Sequence, residues 1–176
     1  MADIRQRVQD DRGVIKKIEL VIPGYKGYRE KEDLRIADSL LRNQLANQIQ
    51  AVLESVQRSR EGLAKNMNLA LLNDIGELDN NMQALMNKIR HAPQGYSGIS
   101  PDIRIEQSEL NKLYEWDLSL LQLIDILKQR SIDLEDQVSQ NSPRTKGTIL
   151  DLKKEVTNFV EVFQKRIDSI TNITVR

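Results

Sequence analysis

The chain has 176 residues, no cysteine, and equal numbers of acidic and basic residues, 26 of each. The lack of cysteine excludes zinc–thiolate sites, iron–sulfur clusters, disulfides and cysteine nucleophiles. Because the formal net charge is zero, no global field attracts nucleic acid or anionic membranes. Charged residues at 30% and hydrophobic residues at 39%, with few aromatics, are typical of a helical bundle. We therefore predict an all-α protein that forms a single domain over residues 1–176.

The first residues carry charges throughout and lack the uninterrupted apolar stretch of a signal peptide. The longest apolar-dense stretch, Leu118 to Leu127, is much shorter than the roughly 18 apolar residues that a membrane-spanning helix needs. We expect a cytoplasmic protein without a transmembrane segment.

Apolar residues recur at steps of three and four along four long segments, which indicates amphipathic helices. These segments are 30–65, 69–90, 107–140 and a last helix that follows a candidate N-cap at Thr148. The N-terminal segment, 1–22, has similar spacing interrupted by Gly13, and we expect it to pack on the other helices. Because breaks at Gly62 with Asn66-Met-Asn68, and at proline- and glycine-containing connections elsewhere, separate the helices, the sequence predicts an antiparallel up-down bundle of four long helices.

Two similar glycine–tyrosine turns, at 23–29 and 92–106, interrupt the helical pattern. Glycine permits backbone conformations that are closed to other residues, so we expect both turns to have a defined shape. In an up-down bundle the two turns lie at one pole, near the start of the third long helix. The candidate partner-binding residues at this aromatic and locally basic pole are Tyr25, Lys26, Tyr28, Arg29, Tyr96 and Trp116.

Aromatic side chains mixed with basic groups supply rigid contact area and hydrogen-bond donors for a partner. The same tyrosines are suited to cap the open end of the bundle, and one surface can do both. We interpret the chain as a non-catalytic protein-interaction or scaffold protein, with protein partners that include a second copy of itself. The alternative is a binding module for RNA or an anionic membrane surface at the same pole, although interleaved acidic residues dilute its positive charge.

Three patches of the sequence resemble a group of uncharacterised prokaryotic helical proteins. They are Pro23-Gly-Tyr-Lys-Gly-Tyr28 with the helix start after it, Gly95-Tyr-Ser-Gly98, and Leu113-Tyr-Glu-Trp-Asp-Leu118. Trp116 is a departure, because the group has phenylalanine or tyrosine at this position. The resemblance implies a shared pattern and no particular activity.

Asp117 interrupts an apolar seam on the third long helix. An unpaired buried charge costs several kcal/mol, so we expect a buried carboxylate with a partner. The candidate partners are Arg35, Arg42 or the backbone amides of a glycine–tyrosine turn, and Asp38 is expected to share this role. Together these four side chains form a predicted polar staple. A catalytic pair of Asp38 with Asp117 is the alternative, but no nucleophile or metal ligand accompanies it.

Metal and cofactor chemistry finds little support in the sequence. A di-iron bundle needs a Glu-x-x-His pair on each of two helices, and this chain has one histidine, His91. The sequence also lacks a phosphate-binding loop of the Gly-x-x-x-x-Gly-Lys-Ser/Thr type. We predict no catalytic residue, no metal site and no cofactor.

Overall fold

The computed structural model of the protein describes residues 4–24, 31–92 and 107–174. Within these ranges the chain forms five helices and no strand, so the prediction of an all-α protein is confirmed. The helices are α1 (Ile4–Val21), α2 (Lys31–Lys65), α3 (Leu69–Arg90), α4 (Gln107–Ser139) and α5 (Thr145–Thr174). None of these described helices is long and apolar enough to cross a membrane.

Most of each glycine–tyrosine turn lies outside the described residues. The described ranges end at Gly24 and Ala92 and begin again at α2 and α4, respectively. The expectation that Tyr25 and Tyr96 share one pole therefore stays a prediction. Gly24 itself is described, and its φ of 86° is a left-handed conformation that glycine adopts without steric cost.

The last helix begins earlier than its sequence pattern predicts. It starts at Thr145, so Thr148 lies inside the helix and the prediction of an N-cap at this residue is wrong. A turn at Ser142 initiates the helix instead, because its carbonyl accepts a bond from the Thr145 N–H at 3.3 Å. The Thr148 hydroxyl donates to Gln137 Oε1 on α4, at 2.8 Å.

The apolar seams predicted on α2 and α4 form the buried faces of these helices. Burying such side chains is the main favourable term in folding, at about 25 cal/mol per Å² of apolar surface. Polar positions within the seams are buried as well, which requires each of them to find a partner. The buried seam residues of α4 are Leu113, Asp117, Leu120, Ile124, Leu127, Ser131, Leu134 and Val138.

The chain divides into two compact units. Unit 1 comprises Met1–Gln44, Ala92–Leu121 and Val162–Arg176, and unit 2 comprises Leu45–His91 and Gln122–Glu161. Helices α2, α4 and α5 each contribute residues to both units. This division does not decide whether the chain folds in one cooperative step, so a single domain over 1–176 stays a prediction.

Helix α2 ends in a Schellman motif, in which two late N–H groups satisfy carbonyls of the last turn. Asn68 N–H donates to Leu63 O at 2.9 Å, and Met67 N–H donates to Ala64 O at 3.1 Å. The motif requires a left-handed residue, and here it is Met67, with a φ of 54°. Asn141 occupies the matching position at the end of α4, with a φ of 50°. Asparagine tolerates this conformation, whereas methionine is strained in it.

Within unit 2, α2 and α4 approach each other closely at Gly62. A Cβ added at this residue would lie 2.7 Å from Cγ1 of Val138, whereas a Cβ added at Gly76 on α3 would meet nothing within 4 Å. Gly62 is therefore required by packing between helices, and Gly76 is not.

These two glycines make a matched test of that packing. Gly76→Ala should raise the free energy of unfolding by about 0.5–1 kcal/mol, because alanine favours the helix more strongly than glycine. Gly62→Ala gains the same helix propensity but overpacks Val138, which costs about 1–3 kcal/mol. Urea unfolding should therefore find Gly62→Ala less stable than Gly76→Ala by this amount.

The Val138→Ala background supplies the control for this comparison. With the Val138 methyl groups removed, Gly62→Ala should stabilise the protein about as much as Gly76→Ala does. Equal stabilisation by both alanines in the wild-type background would contradict the close approach.

Candidate functional site

A buried network of four charged side chains is the most distinctive feature of unit 1. Asp38 and Arg42 come from α2, Asp117 from α4 and Arg166 from α5. Their exposed fractions are 3%, 8%, 0% and 1%, respectively. Aspartate and arginine are almost never fully buried unless they are paired, so the network depends on its internal bonds.

Arg166 is the centre of this network because it binds two carboxylates at once. Its Nε donates to Asp117 Oδ1 at 2.5 Å, and its Nη1 donates to Asp38 Oδ1 at 2.7 Å. Both Asp117 and Arg166 also make at least one further interaction. The guanidinium presents its donors in a fixed planar fork. The two bonds therefore fix how the Arg166 side chain, and with it this part of α5, is oriented against α2 and α4.

Asp38 extends the network through Arg42 to Ala92, the first residue of the second glycine–tyrosine turn. Its second oxygen, Oδ2, forms an ion pair with Arg42 Nη2 at 2.9 Å. Arg42 Nη1 in turn donates to the carbonyl of Ala92 at 2.7 Å, just after α3 ends. Within the described part of the chain, the buried Nε of Arg42 is the side-chain atom left without a hydrogen bond. The network therefore joins α2, α4 and α5 to the residue from which the second glycine–tyrosine turn departs.

The charges of the network cancel, since two carboxylates face two guanidinium groups. Desolvating four ions costs several kcal/mol for each, and their mutual attraction offsets this cost only when the geometry is good. Such a network adds little net stability over an apolar core, but the loss of a single member leaves a buried charge without its partner. Its main effect is on how α2, α4 and α5 are arranged against one another in unit 1.

The structure brings together three of the four residues of the predicted polar staple and adds one that the prediction lacked. The described partner of Asp117 is Arg166 on α5, and the partner of Arg42 is Asp38. The side chain of Arg35 lies outside the described part of the structure. The missed signal was the spacing on α5, where Phe159, Phe163, Arg166 and Ile170 are all buried at steps of four, three and four. An arginine in that register predicts a buried acidic partner.

Of the candidate partner-binding residues, only Trp116 lies among the described residues. Tyr25, Lys26, Tyr28, Arg29 and Tyr96 lie outside them. Trp116 is half-buried, and the Nζ of Lys165 lies 5.9 Å from the centroid of its ring, in cation–π contact. Tyr114 is 5% exposed and belongs to the core of unit 1, so its ring is not a surface aromatic.

A smaller polar cluster lies in unit 2, where Glu135 of α4 meets Ser55 and Arg58 of α2. Arg58 Nη2 donates to Glu135 Oε1 at 2.7 Å, and the Ser55 hydroxyl donates to the same oxygen. Partial burial by itself raises the pKa of Glu135. The hydrogen bonds from Arg58 and Ser55, with the positive charge of Arg58, outweigh this effect and hold the pKa below its ordinary value. Glu135 also raises the pKa of Arg58 through the same hydrogen bond.

Among the described residues, no three histidine, cysteine, aspartate or glutamate side chains are grouped so that they could hold a metal ion. Comparisons of the chain with protein families, with curated proteins and with solved structures find no match. The interpretation of the site therefore depends on its geometry.

Arg166→Met tests the dependence of the network on its central cation. The substitution leaves Asp117 buried without its described ion-pair partner, so we expect it to lower the free energy of unfolding by about 3–5 kcal/mol. Lys154→Met, on the same helix, is the matched control, because its side chain is 79% exposed and should change stability by no more than about 0.5 kcal/mol. Chemical denaturation measures both variants.

A second variant separates loss of charge pairing from loss of volume. Adding Asp117→Leu to Arg166→Met removes the stranded carboxylate, so the double variant should regain part of the stability that Arg166→Met loses. If the free energy of unfolding of Arg166→Met is as high as that of Lys154→Met, the prediction of a paired, buried network is contradicted.

The lowered pKa of Glu135 predicts a pH dependence of stability. Because the folded state favours the charged carboxylate, the contribution of Glu135 is fully present above its ordinary pKa of 4.5. It is lost as the pH falls from that value through the lower pKa of the folded state. Glu135→Gln should therefore be less stable than the wild type at neutral pH, and this difference should shrink in acid. If the stability difference between Glu135→Gln and the wild type stays constant from neutral pH into the acid range, Glu135 has the same pKa in the folded and unfolded states. That result would contradict the prediction.

Proposed function

We propose that the protein is a non-catalytic helical interaction or scaffold protein whose partner-binding surface belongs to unit 1. The observation that supports this proposal is the pairing of buried anchors with exposed apolar side chains on the same helices. On α1, Ile18 is 0% exposed and Leu20 is 86% exposed. On α2, Asp38 is 3% exposed and Ile36 is 51% exposed.

Helix geometry explains why an anchor fixes such a surface. Residues two positions apart on an α-helix differ by about 200° around the axis, so a buried residue turns its second neighbour outward. The bonds of Asp38 to Arg42 and Arg166 set the rotation of α2, and Ile36 is held on the outer face. A contiguous patch of exposed apolar side chains marks an interface, and we propose that Leu20 and Ile36 belong to such a patch.

The network also favours a structural role for its carboxylates over a catalytic one. A catalytic pair of Asp38 and Asp117 would need both groups to face a shared substrate. Arg166 binds one oxygen of each, and Arg42 binds the other oxygen of Asp38. In this arrangement the carboxylates are hydrogen-bond acceptors that hold helices together.

We further infer that the helical segments of unit 2 alternate in direction, as an up-down bundle requires. Contacts between α4 and α5 run in opposite order along the chain, from Gln137 with Thr148 to Arg130 with Asp151. Contacts between α2 and α4 run in the same order, from Ser55 with Ser131 to Asn66 with Val138. Antiparallel neighbours and parallel diagonal helices would produce this pattern.

Site-directed photo-cross-linking tests the proposed surface, and the lack of native cysteine makes single-cysteine labelling specific. A benzophenone attached through Leu20→Cys or Ile36→Cys should form discrete adducts with a partner or a second copy in native lysate. Ile132→Cys in unit 2, where isoleucine is 53% exposed, is the matched control and should form none. Adducts that are equally abundant at all three positions would contradict a surface specific to unit 1.

The RNA alternative is tested with the same purified protein. Binding of labelled single-stranded RNA at low salt that collapses when salt is raised would support that alternative. Absence of binding at low salt would eliminate it.

A further inference from the structure

Met67 stands out in unit 2 because it combines backbone strain with high exposure. Its φ of 54° lies in the left-handed region, where glycine or asparagine is the usual residue. Its side chain is 84% exposed, and that of Leu69, two residues later, is 69% exposed. Neither burial nor backbone preference accounts for an apolar side chain at this position. Non-glycine residues held in this conformation are strained and are enriched at functional sites.

The α2–α3 turn that holds Met67 lies beside the end of α4. Asn66 Nδ2 donates to the carbonyl of Val138 at 3.0 Å. A groove of about 220 Å³ lies between the ends of α2 and α4, and its lining includes Lys65 and Ser139. Because α4 leads directly into the α4–α5 turn, the two turns belong to the same end of unit 2.

The charge at this end differs from the balanced charge of the whole chain. The segments 65–73 and 137–150 contain three basic residues, and the acidic residues next to them are Asp74, Asp136 and Asp151. Asp74 is paired with Lys153 and Asp151 with Arg130, so these two carboxylates are already neutralised within unit 2. The basic residues are Lys65, Arg144 and Lys146, and all three are exposed. In the described part of the chain none of them joins an ion pair. The two turns therefore combine three exposed basic side chains, outside any described ion pair, with two projecting apolar side chains.

We propose that these two turns form a contact site for an anionic lipid surface, separate from the partner surface of unit 1. Three basic side chains complement the negative charge of the headgroups, and each strengthens binding near such a surface. Met67 and Leu69 are placed to enter the boundary between headgroups and acyl chains, as apolar residues do in interfacial binding. A stable protein interface buries roughly 800 Å² on each partner, whereas lipid accepts two projecting side chains without a matching shape.

Fluorescence at a single position tests the proposal directly. Met67→Cys, labelled with an environment-sensitive dye, should show a blue shift with vesicles of phosphatidylcholine and phosphatidylserine, and none with phosphatidylcholine alone. The same dye at Ile132→Cys on α4, where isoleucine is 53% exposed, is the matched control and should not shift. A shift at both positions, or at neither, would overturn the proposal.

Vesicle co-sedimentation of unlabelled variants separates the apolar and the charged contributions. Met67→Gly with Leu69→Ala removes the apolar side chains while glycine keeps the left-handed turn, so the fold is preserved and partitioning should fall. Arg144→Gln with Lys146→Gln should weaken partitioning by roughly ten- to thirtyfold and reduce its salt dependence. Wild-type partitioning in either double variant would overturn the proposal.

Two further outcomes would assign the turns to a different occupant. A dye shift at position 67 that needs no vesicles and grows with protein concentration would identify a second copy of the chain and overturn the lipid assignment. Binding of RNA that depends on the basic residues, with no vesicle binding, would also overturn it.

Discussion

The structure of unit 1 depends on one guanidinium group that neutralises two carboxylates within an apolar core. Arg166 reaches Asp117 and Asp38 with two different nitrogens, so the three helices that contribute these residues cannot change register independently. A leucine at position 166 would fill space but tolerate sliding and rotation. We infer that the network contributes specificity of arrangement at little gain in stability, since setting the register of packed elements is the best-attested use of buried polar groups.

The periodicity of apolar residues predicts the helices and their buried faces well, because burial of an amphipathic stripe is a local property of the sequence. The same reasoning locates Asp117 on a seam and predicts that it needs a partner. It does not identify that partner, since Arg166 lies 49 residues away and periodicity has no information about distant pairs. Ile167 also draws attention away from Arg166, because steps of four and three from Phe163 pass through either residue.

The predicted ends of α2, α3 and α4 agree with the structure to within one residue, whereas the predicted start of α5 does not. The start of α5 at Thr145 depends on the turn at Ser142, whereas the sequence pattern favours the threonine nearest the first apolar residue. Left-handed Met67 is also unexpected, because residue preference at that position favours glycine or asparagine. The formal net charge of zero likewise gives no sign of the three exposed basic residues that lie on the two turns of unit 2.

The segments that make up unit 1 lie far apart along the chain, and this affects the order in which the protein can fold. Asp38 and Arg166 are separated by 128 residues, and such long-range contacts form slowly because a long loop must first be closed. During synthesis, every segment of unit 2 has been made by residue 161, before the last segment of unit 1 begins at Val162. A growing chain therefore holds Asp38 and Asp117 without the cation that joins them. Unit 1 can complete its core only after the part of α5 that holds Arg166 has been made, so this buried network forms late relative to the segments of unit 2.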